Sequence, residues 1–132
     1  MTPMRESELV INRVAQGIVP LAEGVAWFSA LDRAGQTAVL VEIGHYLMQA
    51  SATVEDGRAG VARAGVKPTV TPAVLITMEP FLQRVGTIIG LPEAEHVKAF
   101  RVLVSTFTVA DTRRRETRCQ GRCTHAWHNL GA

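Results

Sequence analysis

Cys119, Cys123, His125 and His128 fall within a ten-residue stretch near the end of the chain. Thiolate and imidazole are the ligands that hold zinc in a tetrahedral array, so all four side chains are of the right type. Their spacing is unusual. Zinc fingers separate their ligand pairs by about 12 residues or more, whereas only Thr124 stands between Cys123 and His125. One zinc ion needs the preceding helix to end near Cys119 and the chain to turn back at Gly121. Cys119, Cys123 and His125 or His128 then serve as ligands, with a distant residue or water completing the shell. Two other readings stay open. One is a basic tail with half-buried thiols and Trp127 packed on the body. The other is a disulfide, which helical spacing disfavours, because residues four apart hold their Cβ atoms about 5–6 Å apart and a bridge wants about 3.8 Å. A thiol activated by a neighbouring imidazole is the minor catalytic use of the same residues.

Arg113, Arg114, Arg115, Arg118 and Arg122 form a second cluster. Several arginines on one segment neutralise phosphates and give salt-sensitive, sequence-independent affinity for nucleic acid. They also suit a protein partner with an acidic face. In the last turns of a helix the same cations complement its negative end, and their stems cover apolar surface. The formal net charge is only +2 and no DNA-binding motif accompanies the run, which ranks nucleic acid below the structural reading, with the acidic protein partner as a third use. The charge is unevenly spread: from Lys98 onward seven basic residues face two acidic ones, while the first 97 residues carry seven basic and ten acidic ones.

Glu42-x-x-His45 and Glu93-x-x-His96, with Glu23 and Glu79 on the helices before each, imitate the ligand pattern of di-iron carboxylate bundles. Such a site needs every ligand to face inward. By helical phase Glu42 and His45 lie off the apolar stripe of their helix, whereas Glu93 and His96 lie on the Phe100 stripe but at its first turn, where Glu complements the helix dipole. All four read as surface and cap residues. No nucleophile with its base, phosphate loop after a strand or carboxylate pair is legible, and Gly-Ile-Val-Pro and Gly-Val-Lys-Pro read as turns. No catalytic residue is assigned, and catalysis is not expected.

The elements that must position these groups are helices. A chain of 132 residues suits a single domain, and with 47% hydrophobic but 5% aromatic residues its core must be built from Ala, Val, Leu and Ile. Apolar spacing places helices over about residues 6–16, 20–31, 33–50, 55–64, 80–89 and 92–118. Pro20, Pro80 and Pro92 suit first helical positions. Asp32 caps the third helix, Thr53 with Asp56 the fourth, and Gly17, Gly65 and Gly90 stand where helices end. The segment 66–78 is extended and then briefly helical, since a residue before proline avoids the α region. The stripe Val39, Ile43, Tyr46, Leu47, Ala50, widened by Leu40, Val41 and Met48, makes the third helix central. The series Val97, Phe100, Leu103, Val104, Phe107, Ala110 lays the last helix along it, with Glu95, Lys98, Arg101 and Ser105 toward solvent. Trp27, Phe28 and Leu31 close one end. The expected fold is an all-α, single-domain helical bundle of five to six helices with one long C-terminal helix, spanning residues 1–132. Residues 119–132 are expected to form a C-terminal knuckle or tail.

No apolar run approaches the roughly 18 residues of a membrane span, and the N-terminus lacks the apolar core of a secretory signal. A cytoplasmic protein is expected, with its cysteines as thiols or metal ligands.

The run Ala64-Gly65-Val66-Lys67-Pro68-Thr69, then Thr71-Pro72 and Val74-Leu75, resembles a family of small bacterial proteins frequent in actinomycetes, a domain of unknown function. Gln16-Gly17, Trp27-Phe28, Gln49-Ala50, Glu55-Asp56, Lys98-Ala99-Phe100-Arg101 and the Arg113–Arg115 triplet add to the likeness, which spans nearly the whole chain. The resemblance implies a freestanding intracellular bacterial domain and transfers no catalytic residue. The resulting expectation is a non-enzymatic protein-interaction or regulatory domain, acting with a protein partner or as a homodimer, its C-terminus stabilised by zinc. The alternative is a small nucleic-acid-associated regulator using the segment from Arg113 to Arg122.

Overall fold

The computed structural model describes residues 6–67, 71–78 and 81–126, the side chains of residues 75, 78, 81, 82 and 117–126 apart. In chain order the helices are α1 (Glu6–Ala15), α2 (Leu21–Ser29), α3 (Arg33–Gln49), α4 (Val54–Arg63), the single turn α5 (Pro72–Leu75), α6 (Phe81–Ile89) and the long α7 (His96–Ala126). Short 3₁₀ turns, Ile76–Met78 and Glu93–Glu95, follow α5 and lead into α7. Among the described residues there is no strand, and the all-α bundle with a long C-terminal helix is the fold.

Local chemistry accounts for most helix ends. Asp32 Oδ1 accepts the Gly35 N–H at 2.7 Å and starts α3. At α4 the Asp56 N–H donates to Thr53 Oγ1 at 3.2 Å and the Thr53 N–H to Asp56 Oδ2 at 2.9 Å, so both orphan donors are satisfied reciprocally. Pro20 and Pro92 stand one residue earlier than expected: each is the extended residue before its helical turn rather than the first inside it. Pro72 does open α5. The helices α1, α3 and α4 leave through one residue in the left-handed region, Gly17 (φ 79°), Ser51 (φ 54°) and Gly65 (φ 71°). The next N–H then reaches back to the helix: Ile18 to Arg13, Ala52 to Leu47 and Val66 to Val61, at 2.9, 3.0 and 3.3 Å.

The hub of the bundle is α7. Residues 102–108 are buried without interruption, so neighbours cover this stretch on every side. On one side lies the main core, in which Ile11, Phe28, Leu40, Ile43, Leu47 and Ile88 pack around Phe100 and Leu103. Phe28 and Phe100 stack with centroids 4.5 Å apart. On the other side Val61, Ala64 and Val74 pack on Val102. This corrects the expectation that α3 is central. Ala38, His45, Met48 and Gln49 leave α3 an exposed face, and the most extensive neighbour of α7 is α4. Ser105, expected toward solvent, is 3% exposed. The reason is that α7 buries hydroxyls after satisfying them internally: Thr106 Oγ1 donates to Val102 O at 2.8 Å and Thr108 Oγ1 to Val104 O at 3.0 Å. A polar residue type therefore hid a buried face.

His96 needs a second correction. Its phase puts it on the Phe100 stripe; expected nonetheless as a surface or cap residue, it is 1% exposed. Its Nδ1 lies 3.0 Å from Gln36 Oε1, and the Gln36 amide donates to Phe28 O at 3.3 Å and Leu31 O at 3.2 Å. One buried network thus joins the end of α2, the first turns of α3 and the start of α7.

Candidate interaction surfaces

The arginine run is not one patch. Successive residues on a helix point about 100° apart, and α7 sends its arginines to different tasks. Arg113 leans on α4: its NH2 lies 3.0 Å from Asp56 Oδ2 and also donates to Ser51 O at 3.3 Å. Asp56 is the buried carboxylate that caps α4, so Arg113 ties the left-handed exit of α3 to the first turn of α4. Arg115 pairs with Asp111 one turn back, at 3.2 Å. Arg114 is exposed and has no ion pair among the described residues. The side chains of Arg118 and Arg122 lie outside the described residues.

The zinc quartet also falls there. His128 is outside the described residues, as are the side chains of Cys119, Cys123 and His125. The backbone is informative, because α7 runs through Gly121 to Ala126, past the expected end at about residue 118. The expected fold-back at Gly121 is replaced by helix, on which positions 119 and 123 stand one turn apart. Among the described residues no group of three or more His, Cys, Asp or Glu is placed to hold a metal ion.

Of the two Glu-x-x-His pairs, Glu42 is half-buried between α1 and α3. Ser7 Oγ donates to its Oε1 at 2.8 Å, and the Tyr46 hydroxyl donates to its Oε2. Ser7 and Glu42 border a groove of about 530 Å³ walled by Trp27, Leu31 and Val39. His45 and Glu93 are exposed, as expected for surface residues, while His96 is committed to Gln36.

The sequence reading missed a basic group at the other end of α7. Lys98 and Arg101, one turn apart, meet Lys67 across a groove of about 670 Å³ that also contains Val66, Val97 and Thr71. Lys67 belongs to the Gly-Val-Lys-Pro stretch read as a turn, and Lys98 and Arg101 were read only as a solvent face. Their (i, i+3) spacing was the available signal. What joins them to Lys67 is the docking of α4 on α7, which no local pattern announces.

No helix among the described residues is long and apolar enough to cross a membrane. No curated protein and no solved structure matches the chain. The model of a family of unknown function, DUF5958, matches residues 6–130, and the protein belongs to that family.

Proposed function

We propose that this protein is a non-enzymatic, cytoplasmic interaction domain that docks an acidic protein partner on the C-terminal part of α7. One observation carries the reading: the last described side chains of α7 are turned to solvent and the helix goes on past them. Residues 112–116 are all exposed, and the helix continues to Ala126, about 15 Å further at about 1.5 Å per residue. Arg114 has no ion pair among the described residues, and Arg118 and Arg122 follow it along the helix. The buried polar side chains support a structural rather than catalytic interior. Asp56 is used as a cap, His96 and Gln36 bond each other, and Arg84 Nε donates to Ile76 O at 2.9 Å.

The zinc proposal now takes Cys119 and Cys123 as a pair one turn apart on a helix, with ligands from beyond it completing the shell. Residue type and helical register support it.

A photo-crosslinking residue at position 117, one turn along α7 from Arg114, with position 83 on the exposed side of α6 as control, tests the docking reading in cells. A discrete product from position 117 alone is expected, and its mass separates an acidic partner from a second copy of this chain. No product from position 117 in a folded chain defeats the proposal. Tight retention on duplex DNA that weakens steeply with salt transfers the function to nucleic acid.

A further inference from the structure

The groove between the α4–α5 connection and the first turns of α7 combines features that suit a small anion. Lys67, Lys98 and Arg101 line it together with the apolar side chains Val66 and Val97, and no carboxylate is in its lining. The Arg101 guanidinium is held in place by donating from NH2 to Ala64 O at 3.1 Å, the exit of α4, which leaves its other donors free to turn toward the groove. The one ion pair recorded for these cations among the described residues is Lys98 Nζ to Glu95 Oε2, and at 3.8 Å it is long and weak. Thr71 is also in the lining; its hydroxyl oxygen is closed off from solvent and has no hydrogen-bond partner in the described structure. Buried hydroxyls are nearly always bonded, so an unpaired one beside a cationic groove suits an acceptor brought by a ligand, which it meets by a turn of its side chain.

We propose that this groove binds a small organic phosphate. Its phosphate oxygens are received by the planar fork of Arg101, by the ammonium groups of Lys98 and Lys67 and by the Thr71 hydroxyl, and its apolar body rests on Val66 and Val97. Phosphate is preferred to carboxylate because three cations and a hydroxyl donor converge on one space, more charge and more donors than a monoanion uses. The site is separate from the C-terminal extension of α7 and does not depend on the partner proposed there.

The test is calorimetric titration of the full chain with phenyl phosphate, beside inorganic phosphate and benzoate. Phenyl phosphate is expected to bind one per chain with Kd about 1 mM or tighter. Benzoate is expected about tenfold weaker, for want of the second charge. Inorganic phosphate should be weaker than phenyl phosphate by the lost contact with Val66 and Val97. Lys67→Gln and Lys98→Gln, at exposed and half-exposed positions, should each weaken binding at least about fivefold without lowering the melting temperature. Arg101→Lys, which keeps a charge but loses the fork, should weaken it further. Absence of saturable binding overturns the proposal. So does binding that survives both lysine substitutions, or that is abolished instead by Arg114→Gln with Arg118→Gln, which would place the anion on the α7 extension.

Discussion

Gly60 of α4 lies so close to Thr106 of α7 that a Cβ built on it would sit 2.2 Å from Thr106 Oγ1 and 2.7 Å from the Thr106 backbone N and Cα. Two helix backbones meet here with no side chain between them. This close approach gives α4 the most extensive contact with α7, and it sets the position of Lys67 and Arg101 on either side of the basic groove.

Gly60→Ala should therefore destabilise the protein by about 3 kcal/mol or more, since the clash is with backbone and cannot be relieved by a rotamer change. Gly86→Ala on α6, where an added Cβ meets nothing within 4 Å, is the control. It should gain about 0.5–1 kcal/mol from helix propensity. Urea unfolding of both variants measures the difference, and equal midpoints would mean that the helices do not touch at Gly60.

Ser51 leaves α3 at φ 54°, where a Cβ costs roughly 1–2 kcal/mol. Ser51→Gly should stabilise by about 0.5–1 kcal/mol after the looser unfolded chain is allowed for. Ser51→Ala should gain nothing. The Arg113 bond survives both, because it is made to the Ser51 carbonyl.

Gln36→Leu removes the partner of His96 and the donor to two carbonyls while keeping a similar volume. Leaving buried polar groups unbonded should cost about 2 kcal/mol. Chemical denaturation reads the loss, and an unchanged midpoint would show the network to be dispensable.

Arg113 and Arg114 should separate stability from binding. Arg113→Ala is expected to cost about 0.5–1 kcal/mol, since the arginine is half-exposed and solvent screens its pair with Asp56. Asp56→Ala should cost about 2 kcal/mol, because the cap of α4 is lost as well. Arg114→Ala should change stability by less than about 0.5 kcal/mol yet reduce partner capture. If capture follows Arg113 and not Arg114, the binding face is on the other side of α7.

Elemental analysis of purified protein should find about one zinc per chain. Chelation should expose Cys119 and Cys123 to rapid alkylation, and Cys119→Ser or Cys123→Ser should abolish the metal. A metal-free preparation whose thiols already react rapidly at neutral pH would remove zinc and favour the activated thiol.

The caps at Asp32 and Thr53, the exits at Gly17 and Gly65 and the apolar stripes of α3 and α7 were legible from sequence, because each depends on residues within about one turn of one another. They determine that the chain is helical, where most helices begin and end, and which apolar stripe of α7 meets the main core. Neighbours are another matter. The sequence placed α3 at the centre because it looked greasier, yet α7 is surrounded, since Ser105, Thr106 and Thr108 are buried and Thr106 and Thr108 bond their own helix. Only the tertiary structure decided that a pair of small residues, Gly60 and Thr106, brings α4 against α7. The same packing turns Lys67, Lys98 and Arg101 into one group and commits Arg113 to Asp56. Which surfaces meet depends on complementary shape between elements distant in sequence, and no local pattern of residues records it.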